Sequence, residues 1–329
     1  MNTSSWSGRN EPPLAVGLDI GGTNVIGVLL GSDDGVRGSV RLPTMRGVEG
    51  VVATAIKAVH ALLDGEGIRS DAQTPIGIGV PGIVDPVTGT VAHAVNLGFA
   101  GEPTPLAQLL SAGLAGARVR AENDLNVAVL GAACTVGPAA TGEVGSAPDL
   151  AFLALGTGLA AGLLLDGRLR RGAFGAAGEI GHLPYVVDGP VCACGQRGCL
   201  ELYASGASLD ARWPGPGDVP APVALFAAAA AGDRAAVRVR DEFARAVATA
   251  VRILVLTTDV GRIVLGGGVS ELGAPLLDAV VGALDAQTRG SDFLTSMKIG
   301  ARVHLAPPGV PVAAIGAAIL ARGTVGEWK

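Results

Sequence analysis

Short apolar runs alternate along this chain with stretches whose apolar residues recur at helical spacing, and glycines or prolines punctuate most of the joins. LAVGLDIGG, from Leu14, reads as a strand entering a glycine turn. TNVIGVLLG reads as a second strand, and a third is expected near Gly38 to Leu42. Val51 to Leu63 carries a helical pattern. TPIGIGVPG is a short buried strand ending at Pro81-Gly82. A helix is expected from Leu106 to Leu114, a strand in ARVRAEND, and a helix in LNVAVLGAACTVG.

The second half repeats this opening. DLAFLALGTGLAAGLLLDGRL is again strand, glycine turn, strand. Aligned without gaps, the two copies match at Leu18/Leu153, Gly21/Gly156, Gly27/Gly162, Leu29/Leu164 and Leu30/Leu165. A strand–glycine turn–strand hairpin opening each half is the pattern of a duplicated α/β domain. Beyond it, WPGPGDVPAP reads as loop, Val223 to Ala231 and Asp233 to Thr257 as helices, and RIVLGGGVS as a strand running into three glycines. Pro275 to Gln287 reads as helix, Ala301 to Leu305 as strand and Val312 to Arg322 as a closing helix.

Composition narrows the classes. The 329 residues suffice for one large or two medium domains, and 51 glycines with few aromatics suit an α/β protein rich in tight turns. The net charge is −5 with the two signs mixed and no basic block, which argues against nucleic acid as a partner. The longest apolar run, AFLALGTGLAAGLLL, is too short and glycine-rich to span a membrane, and MNTSSWSGRNEPP has no secretory pattern. A cytoplasmic protein with reduced cysteines is expected.

Candidate chemistry sits at four places. His182, Cys192, Cys194 and Cys199 lie in GEIGHLPYVVDGPVCACGQRGCLE, and with Cys134 they include every cysteine of the chain. One imidazole and three thiolates complete a tetrahedral Zn²⁺ set with no open position, so the metal is expected to be structural. A disulfide with a spare thiol, or buried unreactive thiols, are the alternatives; Gly195 and Gly198 favour a metal knuckle. Cys134, in an apolar helical stretch, reads as core.

The turns Asp19–Asn24 (DIGGTN) and Leu155–Gly158 (LGTG) each read either as ordinary hairpin turns or as backbone cradles for phosphate, with Thr23, Asn24 and Thr157 adding donors. Asp19 is positioned for Mg²⁺, and no Walker-type lysine follows. Gly266, Gly267 and Gly268 read either as a strand-to-helix turn or as bare backbone for a base or ribose. Asp124, alone, reads best as a helix cap. In company with Asn96, Asn123, Glu179, His182 and Glu201 it belongs to an amide–carboxylate–imidazole set suited to a neutral polyol.

The motifs DIGGTN, VPGIVDPVTG, AENDLNVAVLG, LGTGLAAGLLLDGRLRRG, GEIGH, CACGQRGCLE and VLGGGVS occur in the order found in the ROK family of bacterial sugar kinases, repressors and open reading frames, which the chain resembles from about Leu14 to Arg322. The resemblance implies an actin-like, ribonuclease-H-like duplicated fold with two lobes and a central cleft. With the boundary that the internal repeat suggests near 120, the expected division is a small lobe over residues 14–120, with a helix at 311–323 packing back on it, and a large lobe over 121–310 holding the knuckle; the polar, proline-containing residues 1–13 are expected to be a mobile tail. The resemblance makes Asp124 the catalytic base and Asn96, Asn123, Glu179, His182 and Glu201 contacts to sugar hydroxyls. Asp19, Gly21, Gly22, Thr23 and Asn24 become the first phosphate loop and Gly156, Thr157 and Gly158 the second. Gly266–Gly268 match the adenosine side, and His182, Cys192, Cys194 and Cys199 the zinc ligands. Departures are Ala160 and Ala161 after the second loop, Leu125 after Asp124, and Ala132.

The expected function is therefore ATP- and Mg²⁺-dependent phosphorylation of a hexose primary hydroxyl, glucose at O6 first, in a homodimer or homotetramer. Alternatives are N-acetylglucosamine, N-acetylmannosamine, mannose, fructose or a C7-cyclitol as acceptor, polyphosphate as donor, a zinc-stabilised scaffold with a dead site, or a sugar-sensing regulator. About a dozen residues before the first strand leave little room for a helix-turn-helix domain, which disfavours the regulator.

Overall fold

The structure, a computed structural model, describes residues 13–68, 74–99, 102–136 and 149–323. The expected mobile tail lies almost wholly outside the described residues. The chain packs as two compact units, one running as far as Val127 and resuming at Ala313, the other spanning Ala128–Val312.

In the first unit the strands are β1 (Ala15–Ile20), β2 (Asn24–Leu30), β3 (Val36–Pro43), β4 (Pro75–Val80) and, after a small hairpin of β5 (Ile83–Asp85) and β6 (Thr90–Ala92), β7 (Arg118–Asn123). They form one sheet in the order β3-β2-β1-β4-β7. β1, β2 and β3 pair antiparallel, whereas β4 joins β1 and β7 joins β4 in parallel. Helices α1 (Val48–Asp64) and α2 (Leu106–Gly113) bury Val51, Ala55, Val59 and Leu62, and Leu106 and Leu110, in the same core as Leu18, Ile20, Ile76 and Ile78. The helical period read from Val51 onward is thus the core-facing stripe of α1.

The C-terminal helix, Val312–Arg322, joins this unit through bare backbone. Gly17 of β1 and Gly77 of β4 sit side by side in register. A Cβ on Gly17 would stand 2.0 Å from the Ala314 carbonyl oxygen, and one on Gly77 1.8 Å from that of Ala317. Only paired glycines let the helix lie this close to the sheet. Arg118 and Arg120 donate to the carbonyls of Ala321 and Leu320, and Arg322 donates to the carbonyls of Leu30 and Gly31 and pairs with Asp34.

The second unit repeats the sheet. β8 (Leu150–Leu155), β9 (Leu159–Leu165), β10 (Arg168–Leu169), β11 (Arg262–Gly266) and β12 (Val303–Leu305) run in the order β10-β9-β8-β11-β12. The antiparallel and parallel pairings recur in the same sequence. After α3 (Asp124–Thr135), its helices are α4 (Glu201–Ala204), α5 (Gly206–Arg212), α6 (Ala221–Ala230), α7 (Arg234–Thr258), α8 (Ala274–Thr288) and α9 (Asp292–Ser296). Phe243, Val247 and Val251 of α7 pack with Leu153 and Leu155 of β8 and Leu276 and Val280 of α8 in its core.

Several expected boundaries move. α6 starts at Ala221, inside the proline-rich stretch read as loop, because a proline in the first helical turn forfeits no hydrogen bond. Asp233 lies outside α7 and caps it, accepting from the Ala235 and Ala236 amides at 2.8 and 3.0 Å. Residues 299–302, expected as strand from Ala301, form a 3-10 turn before β12. Cys134 lies on α3 as expected but is half-buried, not in the core.

Candidate active site

The first glycine turn leaves β1 directly after Ile20. Its ends close through the Gly21 amide, which donates to the Asn24 carbonyl at 2.9 Å. Thr44, just past β3, braces it twice: its hydroxyl donates to the Gly21 carbonyl at 2.7 Å and its amide to the Thr23 carbonyl at 2.9 Å. Thr23 is exposed, while Gly21, Gly22 and Asn24 are half-buried. A Cβ on Gly22 would stand 3.0 Å from the Asn96 carbonyl oxygen and 3.2 Å from its Cβ. Asn96 is exposed within the 3-10 turn Val95–Leu97. Nothing in the sequence around Thr44 signals its bracing role.

Asp19, near the end of β1, and Asp124, just past the end of β7, flank the end of β4 on its two sides. Asp19 pairs in register with Gly79 of β4, and Gly79 with Glu122 of β7. The missing side chain at Gly79 admits the first turn of α3; a Cβ there would stand 3.6 Å from the Asp124 Cα and 2.3 Å from a Val127 methyl. Burial, then the Asp124 carboxylate, push Asp19 up from its ordinary 3.8 to about 7, against the pull of Arg41. A buried carboxyl under the influence of a second carboxylate is a place where a cation is welcome.

The capping reading of Asp124 is corrected by its neighbour. Asn123 Oδ1 accepts from the Leu125 amide at 2.9 Å and the Asn126 amide at 3.4 Å, so Asn123 does most of the capping of α3. Asp124 Oδ1 takes the Leu125 amide at 3.0 Å. Asn123 Nδ2 donates to the Gly82 carbonyl at 3.1 Å, which leaves one amide hydrogen for a ligand. Beneath them, Glu122, 1% exposed, accepts from Asn126 Nδ2 at 2.9 Å and from the Asn123 amide at 3.0 Å. This buried pair fixes the strand–helix junction. Its only trace in the sequence is a carboxylate and an amide four positions apart.

In the second unit the second glycine turn closes through the Gly156 amide, which donates to the Gly158 carbonyl at 3.2 Å. Thr157 is exposed at its tip. The Gly206 amide donates to the Gly156 carbonyl at 2.7 Å, and Glu201 Oε2 accepts from the Leu159 amide at 2.9 Å. Ala160 and Ala161 lie in β9, where the Ala161 amide donates to the Gly178 carbonyl at 2.9 Å; the strand accommodates both methyls.

The three glycines after β11 divide in role. A Cβ on Gly266 would enter the Phe152 ring, and one on Gly267, at φ 84°, would stand 2.7 Å from the Leu155 carbonyl. These two serve packing. Gly268 is exposed and is the one of the three whose Cβ would meet nothing within 4 Å.

His182 and the three knuckle cysteines bring their ligand atoms within 4.8 Å of one another. His182 Nδ1 is 3.9 Å from Cys192 Sγ, and Cys194 Sγ is 3.6 Å from Cys199 Sγ, with no disulfide. A tetrahedral Zn²⁺ with bonds of about 2.0–2.3 Å asks for ligand separations of roughly 3.4–3.8 Å; these two pairs lie close to that spacing, and the donor set is compatible with that ion. Gln196 lowers the Cys194 thiol, through its backbone amide first and then its side chain, while burial raises Cys199. His182 Nε2 lies 4.0 Å from Glu179 Oε2, so one ring nitrogen faces the sulfurs and the other an exposed carboxylate.

Comparison with known proteins defines the class. The ROK family model matches residues 15–324, and the chain belongs to the ROK family. Its duplicated α/β architecture is the actin-like fold of ROK sugar kinases. A ROK family glucokinase from Streptomyces griseus, solved with glucose and AMPPNP, is 31% identical, covers 94% of this chain and 99% of its own, and superposes with a TM-score of 0.75. A glucokinase of Streptomyces coelicolor is 34% identical over 196 residues, 60% of this chain and 57% of that protein. The chain thus spans little more than half of that relative's length. An N-acetyl-D-glucosamine kinase of Pasteurella multocida is 32% identical over 82% of this chain and 89% of its own. No helix among the described residues is long and apolar enough to cross a membrane.

Proposed function

We propose that the protein is a sugar kinase that transfers the γ-phosphoryl group of ATP to the primary hydroxyl of a hexose, with glucose O6 as the first acceptor. The carrying observation is the Asp19–Asp124 carboxylate pair, with Asn123 relieving Asp124 of most of the helix cap. Asp124 accepts the hydroxyl proton while the sugar oxygen attacks the γ-phosphorus in line. The new O–P bond forms as the bond to the β,γ-bridging oxygen breaks and ADP departs. Asp19 would hold Mg²⁺, which supplies charge neutralisation on the phosphoryl oxygens. In the turns Gly21–Asn24 and Gly156–Gly158, the backbone amides not spent on closing each turn hold the phosphates, and Gly268 offers open backbone on the adenosine side. Asn96 and Asn123, with Glu179, His182 and Glu201, read the sugar hydroxyls. His182, Cys192, Cys194 and Cys199 would hold a structural Zn²⁺ that orders the carboxylates beside it.

The Streptomyces griseus glucokinase, with its glucose and AMPPNP, supports glucose and ATP as ligands. The Pasteurella multocida relative supports N-acetylglucosamine as the second acceptor to test. The test is ADP release from ATP, and phosphate transfer from polyphosphate, across glucose, N-acetylglucosamine, N-acetylmannosamine, mannose and fructose. Glucose with ATP is expected to give the highest kcat/KM. A higher value for another sugar reassigns the acceptor, and no turnover with any of them overturns the kinase reading.

A further inference from the structure

The segment that leaves the cysteine knuckle grips both ends of the second glycine turn. Two residues past Cys199, Glu201 Oε2 accepts from the amide of Leu159, the first residue after the turn, at 2.9 Å. Five residues further on, the Gly206 amide donates to the carbonyl of Gly156, the first residue of the turn, at 2.7 Å. The middle of the grip is tight. A Cβ on Gly158 would stand 2.5 Å from Glu201 Oε2 and 3.4 Å from its Cδ. The segment is itself fixed: the Leu200 amide donates to the Leu183 carbonyl at 2.9 Å, and Ser205 caps α5 through the Ser208 amide at 3.1 Å.

We propose that Glu201 is a positioning residue for the phosphate-donor turn as well as an acceptor contact, so that sugar and nucleotide binding are coupled through one carboxylate. The inference rests on the kinase reading above. Oε2 holds the turn at Leu159, and Oε1 is offered to the sugar. A sugar hydroxyl donating to Oε1 fixes the carboxylate's rotamer, and a fixed carboxylate holds the turn whose amides meet the phosphates. The converse also holds, because nucleotide on the turn fixes the amide that orients Glu201. Both groups lie within the second unit, so the coupling requires no rearrangement beyond this contact.

The proposal predicts crossed effects, which separate it from a role confined to sugar contact. Glucose and AMPPNP affinities are measured by calorimetry, each alone and with the other at saturation, for the wild type, Glu201→Ala, Glu201→Gln, Gly158→Ala and the double variant Gly158→Ala/Glu201→Ala. Glu201→Ala is expected to weaken AMPPNP by about five- to ten-fold. Glu201→Gln, whose amide oxygen still accepts from Leu159, restores most of that AMPPNP affinity while glucose affinity stays low. Gly158→Ala, on the donor side, displaces the carboxylate and weakens glucose by a similar factor. The double variant falls short of the product of the two single losses. Melting temperatures and circular dichroism check that each variant is folded, and Glu201→Gln, which leaves the fold's hydrogen bond in place, keeps the test open if an alanine variant does not fold. AMPPNP affinity unchanged in Glu201→Ala, equally low in Glu201→Gln, or glucose affinity unchanged in Gly158→Ala overturns the coupling. A wild type that binds neither glucose, N-acetylglucosamine nor AMPPNP overturns the kinase reading itself, and the coupling with it.

Discussion

The hairpins β1–β2 and β8–β9 occupy matching positions in their units, residues 15–20 and 24–30 against 150–155 and 159–165. The ungapped repeat in the sequence therefore aligns strand with strand. It does not align their pairing. In the first, Ile20 opposes Val25; in the second, Leu155 opposes Leu159, one residue earlier than the alignment implies. The second turn is shorter by that residue, and every cross-strand neighbour in β9 shifts accordingly. The two turns are nevertheless held alike. The carbonyl of the leading glycine is fixed in each, Gly21 by the Thr44 hydroxyl and Gly156 by the Gly206 amide. Each also lies against a residue assigned to the sugar, Gly22 against Asn96 and Gly158 beside Glu201. What differs is charge. The first carries Asp19 at the position where the second has Ala154. A duplicated scaffold thus keeps two braced glycine turns while confining Asp19 to one.

The comparison breaks most plainly if the Asp19–Asp124 pair proves dispensable. Asp124→Ala should lower kcat by about 10²–10⁴-fold with an unchanged melting temperature, because Asn123 keeps most of the cap. Near-normal turnover would place the proton acceptor elsewhere. Next in size is the knuckle, which only the second unit has. Cys192→Ser, or zinc chelation, should weaken sugar binding by roughly ten- to hundred-fold at temperatures where circular dichroism is unchanged, since Glu179, His182 and Glu201 must then be ordered on binding. Unchanged sugar affinity in zinc-free protein would reduce the knuckle to a surface staple.

A third effect isolates the charge at Asp19. Its folded pKa of about 7 exceeds the ordinary 3.8, so between those values the folded protein holds a proton that the unfolded chain has lost. Stability contributed by this proton is present at pH 4 and is lost as pH rises towards 7. In metal-free protein, Asp19→Asn should therefore gain about 1–3 kcal/mol on the wild type between pH 4.5 and 7.5, read by denaturant titration. A constant difference across that range would mean that Asp19 titrates normally. The smallest effect sharpens the likeness of the two braces. Thr44→Val removes the hydroxyl bond to Gly21 and should cost about 1 kcal/mol, with AMPPNP affinity reduced. A loss of stability with AMPPNP affinity intact would make Thr44 a fold residue only.

Much of this was legible before folding is considered. The strands of the two opening hairpins, both glycine turns and the closing helix at Val312–Arg322 follow from periodicity and punctuation, whereas the short strands β5, β6 and β10 do not. The His182–Cys199 cluster follows from ligand type and spacing, because those residues are local in the chain. Less legible were groups whose partners are distant. Thr44 bracing Gly21, Gly206 holding Gly156, and Glu122 sunk beneath Asn123 are joined by hydrogen bonds that no local pattern announces. Gly79 looked like any strand glycine until the first turn of α3 filled the space beside it.

The sequence by itself determined most of the longer elements, which family the chain resembles and which residue types are available for its chemistry, because local propensity, burial period and metal-ligand identity are written in neighbouring residues. Tertiary structure alone decided how those residues are used. It set the one-residue register difference between the hairpins, moved most of the helix cap from Asp124 to Asn123, raised Asp19 by burying it and setting Asp124 within reach of its charge, and turned Gly17 and Gly77 into the bed for the last helix. Each of these depends on hydrogen bonds, desolvation or van der Waals contact between segments far apart in the chain, and those forces act only once the backbone has brought the segments within a few ångströms.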